Sequence, residues 1–73
     1  MSVKTNKSVQ SLAAAIRAER ARVDLTQAQL ADLVGVSRPV IVSWEAGAVS
    51  PRHSELVKMS RAFKKAVHEW MPG

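Results

Sequence analysis

Cysteine is absent from the 73-residue sequence, and this absence excludes several kinds of chemistry at once. No disulfide, thiolate metal site or thiol nucleophile can form, which agrees with the reducing environment of the cytoplasm. No apolar run approaches the roughly 18 residues that a membrane-spanning helix needs. The first eight residues are polar and carry two lysines, and they lack the apolar stretch of a secretory signal. We therefore expect a cytoplasmic protein that is not inserted in a membrane.

The groupings of residues that support catalysis are also missing from the sequence. His53 and His68 have no nucleophile or paired carboxylates at a useful spacing. Neither a Gly-rich phosphate loop nor a cluster of metal ligands is recognisable. The sequence therefore predicts that the protein is not an enzyme and that it needs no metal or cofactor.

Acidic residues are few relative to basic ones. The 11 Lys and Arg outnumber the 6 Asp and Glu, so the formal net charge is +5. A basic balance on one small domain favours a polyanionic partner, although a surface that keeps the protein soluble explains it equally well.

Apolar residues recur with a period of about 3.6, which predicts an all-α fold, a compact bundle of four to five short helices. We expect residues 1–8 to form a flexible basic arm and residues 9–71 to form the domain. The first helix is predicted over residues 9–22. Thr26 and Gln29 have the spacing of a capping box at the start of a second helix. The predicted buried stripe of this helix is Leu30, Leu33 and Val34.

Two further helices follow, each introduced by residues typical of turns and caps. Gly35 suits the left-handed conformation at a helix C-terminus, and Ser37 is expected to cap a third helix whose first turn contains Pro39. A loop precedes a fourth helix that begins near residues 52–54. Residues 64–71 contain no Gly or Pro before Pro72, so they either extend the fourth helix or form a short fifth one.

Two helices joined by a tight Gly-containing turn, at residues 27–45, are typical of a helix-turn-helix. The pattern resembles the lambda-repressor-like family, the Cro and phage-repressor type also called XRE-like. The residues that carry the resemblance are Ile16, Arg17, Leu25, Thr26, Gln27, Leu30, Ala31, Gly35, Val36, Ser37, Ile41, Trp44, Glu45, Gly47, Pro51, Leu56 and Ala62. The resemblance implies a fold of five short helices and sequence-specific binding of double-stranded DNA, usually in transcriptional control. The recognition helix, about residues 37–45, would then lie in the major groove.

The exposed positions of the third helix are the candidates for reading bases: Arg38, Pro39, Val42 and Ser43. Arg38 can bond the O6 and N7 atoms of guanine, or it can contact a phosphate. Pro39 and Val42 can meet a thymine methyl group, or they can simply pack against the protein. The glutamines that read bases in the best-known phage repressors are absent from these positions.

The DNA backbone is expected to contact a second set of residues: Thr26, Gln27, Ser37, Arg52, Lys4 and Lys7. Gln27 resembles the glutamine that contacts a phosphate and braces the recognition helix in this family. Lys4 and Lys7 either follow a phosphate, enter the minor groove or belong to a solvated arm. Four other cations are interpreted as the solvent face of the fourth helix: Lys58, Arg61, Lys64 and Lys65.

The resemblance also implies an ion pair between Arg20 and Glu45, partly buried between the first and third helices. Family members usually bind as homodimers to an inverted-repeat operator, with half-sites about one DNA turn apart. The candidate dimer contact consists of Val67, Trp70 and Met71, and closure of the monomer core is the alternative role for them. Where the family usually has Gly-Val-Ser before its fifth helix, this sequence has residues 64–66, Lys-Lys-Ala.

Other uses of the same fold stay open at this point. The protein could be a DNA-binding antitoxin or antirepressor whose main partner is another protein, or a controller of restriction–modification genes. A module that binds no DNA is the third alternative, and substitution of Arg38 separates it from the other two.

Overall fold

The structure, a computed structural model, describes the backbone of residues 7–72 and the side chains of residues 10–72. It contains five helices: α1 (Lys7–Arg22), α2 (Gln27–Val34), α3 (Arg38–Glu45), α4 (His53–Phe63) and α5 (Val67–Trp70). No β-strand occurs within residues 7–72, so the predicted all-α class is confirmed. Helix α1 includes the last two residues of the arm predicted at residues 1–8, and the rest of that arm lies outside the described residues. No helix in the described part of the chain is long and apolar enough to cross a membrane.

One hydrophobic core joins all five helices. Each contributes at least one buried apolar side chain, among them Ile16 from α1, Leu30 from α2, Ile41 from α3, Phe63 from α4 and Trp70 from α5. Helix α2 packs against both α3 and α4, and α1 packs against α3. Short helices are marginal in isolation, so this shared core supplies most of their stability.

The predicted buried stripe of α2 is wrong at one position. Leu30 and Val34 are buried, but Leu33 is 58% exposed, and Ala31 takes its place in the core. Because α2 contacts two helices, its buried surface extends around the helix toward Ala31 and away from Leu33.

The start and end of α2 have the predicted geometry. Thr26 Oγ1 accepts a hydrogen bond from the Gln29 backbone N–H at 3.0 Å, and the Thr26 N–H donates to Gln29 Oε1 at 2.8 Å. Gly35 has a φ of 84° and donates its N–H to Ala31. Ser37 occupies the N-cap position of α3, but its side chain makes no capping hydrogen bond, so the predicted Ser37 cap is wrong in that respect.

The turn between α4 and α5 settles whether the fourth helix continues. Lys64 has a φ of 59° and is left-handed, which ends α4 at Phe63 without a glycine. Trp70 in α5 then folds back onto α4. Its Nε1 donates to Ser60 Oγ at 2.7 Å, and its ring meets Phe63 edge to face with the ring centres 5.0 Å apart. Helix α5 is therefore separate from α4 and closes the core.

A charged cluster ties the end of α1 to this turn. Glu19 accepts hydrogen bonds from Arg22 at 2.8 Å and from Lys65 Nζ at 3.2 Å. Arg22 also donates to the carbonyl of Phe63. The hydrogen bond from Arg22, reinforced by Lys65, lowers the pKa of Glu19 below its ordinary value.

Candidate nucleic-acid interface

Helix α3 has a buried face and an exposed face. Ile41, Trp44 and Glu45 are buried against the rest of the domain. Arg38, Pro39 and Val42 are exposed, and Ser43 is partly exposed on the same side. Because residues four apart lie on one face of a helix, Arg38 stands next to Val42, and Pro39 stands next to Ser43. The structure thus brings the four predicted base-reading residues together.

The carboxylate of Glu45, which is only 5% exposed, connects α3 to the neighbouring helices. Arg20 donates from Nε to Oε2 at 2.6 Å and from Nη2 to Oε1 at 3.1 Å, and Gln27 Nε2 donates to Oε1 at 3.1 Å. The third nitrogen of the guanidinium donates to the carbonyl of Leu25. The hydrogen bond to Glu45 raises the pKa of Arg20 above its ordinary value. These contacts connect α1, the start of α2 and the end of α3.

Sequence reasoning missed one hydrogen bond and one close approach between α1 and the end of α3. Arg17 donates to the backbone carbonyl of Glu45. Gly47, with a φ of 74°, lies so close to Gln10 that an added Cβ would be 2.4 Å from Gln10 Nε2. Spacing was the one signal in the sequence for the contact of Arg17 with Glu45, because Arg17 is three residues before Arg20 and lies on the same face of α1.

Hydrogen bonds already made by the candidate side chains restrict what each can still donate. Ser43 Oγ donates to the carbonyl of Pro39 at 3.1 Å, so its oxygen is available mainly as an acceptor. Thr26 is exposed, and its oxygen already accepts the capping bond, which leaves its O–H able to donate. Ser37 and Arg52 are exposed, and neither side chain makes a hydrogen bond within residues 10–72. Both can therefore reach a ligand without breaking a hydrogen bond to another residue in this range.

The remaining candidates are two lysines near the N-terminus and three residues in and after α5. Lys4 lies outside the described residues, and only the backbone of Lys7 is described. Trp70 is 6% exposed and packs in the monomer core, which is the alternative role that the sequence left open for it. Val67 and Met71 are partly exposed beside it. Within residues 10–72, no group of three or more His, Cys, Asp or Glu side chains could hold a metal ion.

Residues 16–70 match the family model described as helix-turn-helix. The chain belongs to the lambda-repressor-like helix-turn-helix family. It is similar to the solution structure of the DNA-binding domain of the P22 C2 repressor, with 31% sequence identity and a TM-score of 0.81 over 89% of this chain and 86% of that one. The family and the fold predicted from the sequence are therefore confirmed.

More distant structures share the fold of this helix-turn-helix protein. The hypothetical transcription factor NHTF from Neisseria is 21% identical, with a TM-score of 0.83 over 96% of this chain and 80% of that one. Hydroxypropylphosphonic acid epoxidase from S. wedmorenis is 20% identical, with a TM-score of 0.80 over 89% of this chain but 35% of the enzyme. Because an enzyme also contains this fold, the fold alone does not decide function. No curated protein matched the sequence.

Proposed function

We propose that this helix-turn-helix protein binds double-stranded DNA sequence-specifically and regulates transcription, as a repressor of phage or bacterial genes. The observation that carries the proposal is the exposed face of α3, where Arg38, Pro39 and Val42 stand opposite the buried Ile41 and Trp44. Similarity to the P22 C2 repressor domain supports the same role. The protein acts by binding, without catalysis and without a cofactor, in the cytoplasm and on the nucleoid.

Arg38 is the main base-reading residue of the proposal. It is the first residue of α3 and exposed, and its planar guanidinium can bond O6 and N7 of one guanine. Val42 follows one turn later and is 40% exposed, so it presents an apolar surface to a neighbouring base pair. The thymine methyl group is the apolar feature of the major groove. A half-site with a guanine close to a thymine is therefore expected.

Phosphates are held around this helix by residues that do not read bases. The side-chain amide of Gln27 donates one N–H to Glu45, which leaves its oxygen and its other N–H for other partners. The hydroxyls of Thr26 and Ser37 and the guanidinium of Arg52 add donors on the exposed surface. Phosphate contacts of this kind set the register of the protein on DNA without selecting sequence.

A homodimer on an inverted-repeat operator completes the proposal. One recognition helix reads only a few base pairs, and two half-sites about one DNA turn apart supply the missing affinity. The partly exposed Val67 and Met71 in and after α5 are the residues we propose for the dimer contact. Trp70 supports them from the core through its hydrogen bond to Ser60.

The test is selection of randomised DNA duplexes, and of host and phage genomic fragments, by the purified protein at roughly 150 mM salt. We expect an inverted repeat to be enriched, and Arg38→Ala to weaken binding to it by about 1–3 kcal/mol while leaving non-specific binding nearly unchanged. Lys58→Ala, which removes a cation from the outside of α4, is the matched control. Failure to enrich any sequence, with binding that disappears as salt rises, would favour the protein-partner alternative.

A further inference from the structure

A shallow groove between α2 and α4 contains none of the residues proposed to contact DNA. It is lined by Leu33, Lys58, Arg61 and Ala62, and its volume is about 170 Å³. Sites for cofactors and other small molecules usually enclose about 300–1,000 Å³. This groove is therefore of a size to hold one or two side chains of another macromolecule.

The larger of the two apolar side chains that line the groove is Leu33. It is 58% exposed, more than Val49 at 54% or Val42 at 40%, the other large apolar side chains that are exposed in the described part of the chain. The other apolar residues near it in α2, Leu30, Ala31 and Val34, are buried in the core. Leu33 is therefore an exposed leucine on a helix whose neighbouring apolar side chains are buried.

The rim of the groove is positively charged. Lys58 and Arg61 are exposed and lie three residues apart on one face of α4. Neither forms an ion pair within residues 10–72, whereas Arg20, Arg22 and Lys65 are each paired with a carboxylate. A ligand for this rim must supply negative charge, and a ligand for Leu33 must supply apolar surface.

We propose that this groove binds an acidic, amphipathic segment of a partner protein. An apolar side chain of the segment packs on Leu33 and Ala62, and Asp or Glu side chains beside it pair with Lys58 and Arg61. A segment folded as an amphipathic helix presents both features on one face. The exposed leucine favours a protein over DNA, because the DNA backbone offers phosphates but no apolar side chain. A two-fold contact of the groove with a second copy would place the cations of both copies together, which is unfavourable.

The experiment is selection from a display library of random peptides about four helical turns long, on the immobilised full chain at roughly 150 mM salt. We expect enriched peptides to combine Leu, Ile or Phe with Asp and Glu. Fluorescence anisotropy with an enriched peptide then gives the Kd for each variant. Leu33→Lys and Arg61→Gln should each raise this Kd at least about tenfold, as expected for an interface dominated by a few anchors.

Matched controls make the same kinds of substitution at sites outside the groove. Val49→Lys places a lysine at an equally exposed apolar site, and Lys64→Gln removes a cation one turn from Arg61; both should change the Kd less than about twofold. Circular dichroism melts check that every variant is folded, and Lys58→Gln provides a second charge variant if Arg61→Gln lowers the melting temperature.

Several results would overturn the proposal. They are the absence of enriched peptides, enrichment without acidic residues, and peptide binding that Leu33→Lys leaves unchanged. Loss of affinity for a mixed-sequence DNA duplex in Arg61→Gln would assign the groove to DNA instead. Dissociation of a dimer by Leu33→Lys in sedimentation equilibrium would assign it to a second copy. Arg38→Ala should weaken DNA binding but not peptide binding, so this proposal and the proposed function can fail independently.

Discussion

Arg20 in α1 donates two hydrogen bonds to the carboxylate of Glu45 at the end of α3, at 2.6 and 3.1 Å. Glu45 is 5% exposed and also accepts a hydrogen bond from Gln27 at the start of α2. One carboxylate therefore holds both helices of the helix-turn-helix against α1. Its loss leaves a positive charge and an amide without their partner, and not merely one contact fewer.

We predict that Glu45→Ala lowers the free energy of unfolding by about 3 kcal/mol, because breaking a buried pair leaves one ion unpaired. DNA affinity of the folded variant should fall by less than that. Urea denaturation and anisotropy with the selected operator, both at low temperature, give the two quantities. Asp32→Ala, at an exposed position of α2, is the control. An unchanged melt of Glu45→Ala would contradict the structural role.

Ser60→Ala tests how α5 is attached. The substitution leaves the indole N–H of the buried Trp70 without its acceptor, which should cost about 1–3 kcal/mol of unfolding free energy. Denaturation followed by tryptophan fluorescence measures the loss. Ser54→Ala, an exposed position on the same helix, should change stability by less than about 0.5 kcal/mol. Equal stability of the two variants would rule out an energetic role for the hydrogen bond.

Lys64→Gly should stabilise the protein. Lys64 has a φ of 59°, a conformation that is unfavourable by roughly 1–2 kcal/mol for a residue with a Cβ. We expect the free energy of unfolding, measured by thermal or urea denaturation, to rise by about 1 kcal/mol. This is less than the full strain, because glycine gives the unfolded chain more conformational freedom. Gly35→Ala is the converse control, since an added Cβ meets no atom within 4 Å and only the backbone is strained. A loss of stability in Lys64→Gly would contradict this account.

Arg52→Gln tests the assignment of Arg52 to the DNA backbone. Removing one phosphate contact should weaken binding to all sequences similarly and reduce the slope of log K against log salt by about 0.9. Titrations of operator and random duplex at several salt concentrations measure both effects. Lys58→Gln serves as the matched control and should leave the slope unchanged. An Arg52→Gln slope equal to that of the unmodified protein would place Arg52 away from the phosphates.

Glu19→Gln tests the charged cluster through pH. The pKa of Glu19 is lowered in the folded state, so its contribution to stability is present above its ordinary value of 4.5 and is lost as pH falls through the lower folded value. The variant should therefore be less stable than the unmodified protein at neutral pH, with the difference shrinking as the pH falls below 4.5. Urea denaturation across this range gives the difference at each pH. A difference independent of pH would show that charge is not its source.

Local patterns in the sequence determined much of the fold and of the candidate interface. The Thr26–Gln29 capping box, the left-handed Gly35 and the exposed face of α3 depend on residues close together in the chain, so local rules predict them. The same rules do not predict that Leu33 is exposed, because which face of α2 is buried depends on where α3 and α4 pack against it.

Only the tertiary structure decided how the helices are held relative to one another. Contacts of Arg17 and Gln27 with Glu45, of Arg22 with Phe63 and of Trp70 with Ser60 join residues that are 10 to 41 positions apart. Sequence spacing constrains neighbours on one helix, but such distant partners meet only after packing has fixed the angles between helices. For the same reason, the sequence did not decide whether Trp70 closes the monomer core or forms a dimer contact, and the structure shows Trp70 buried in the core.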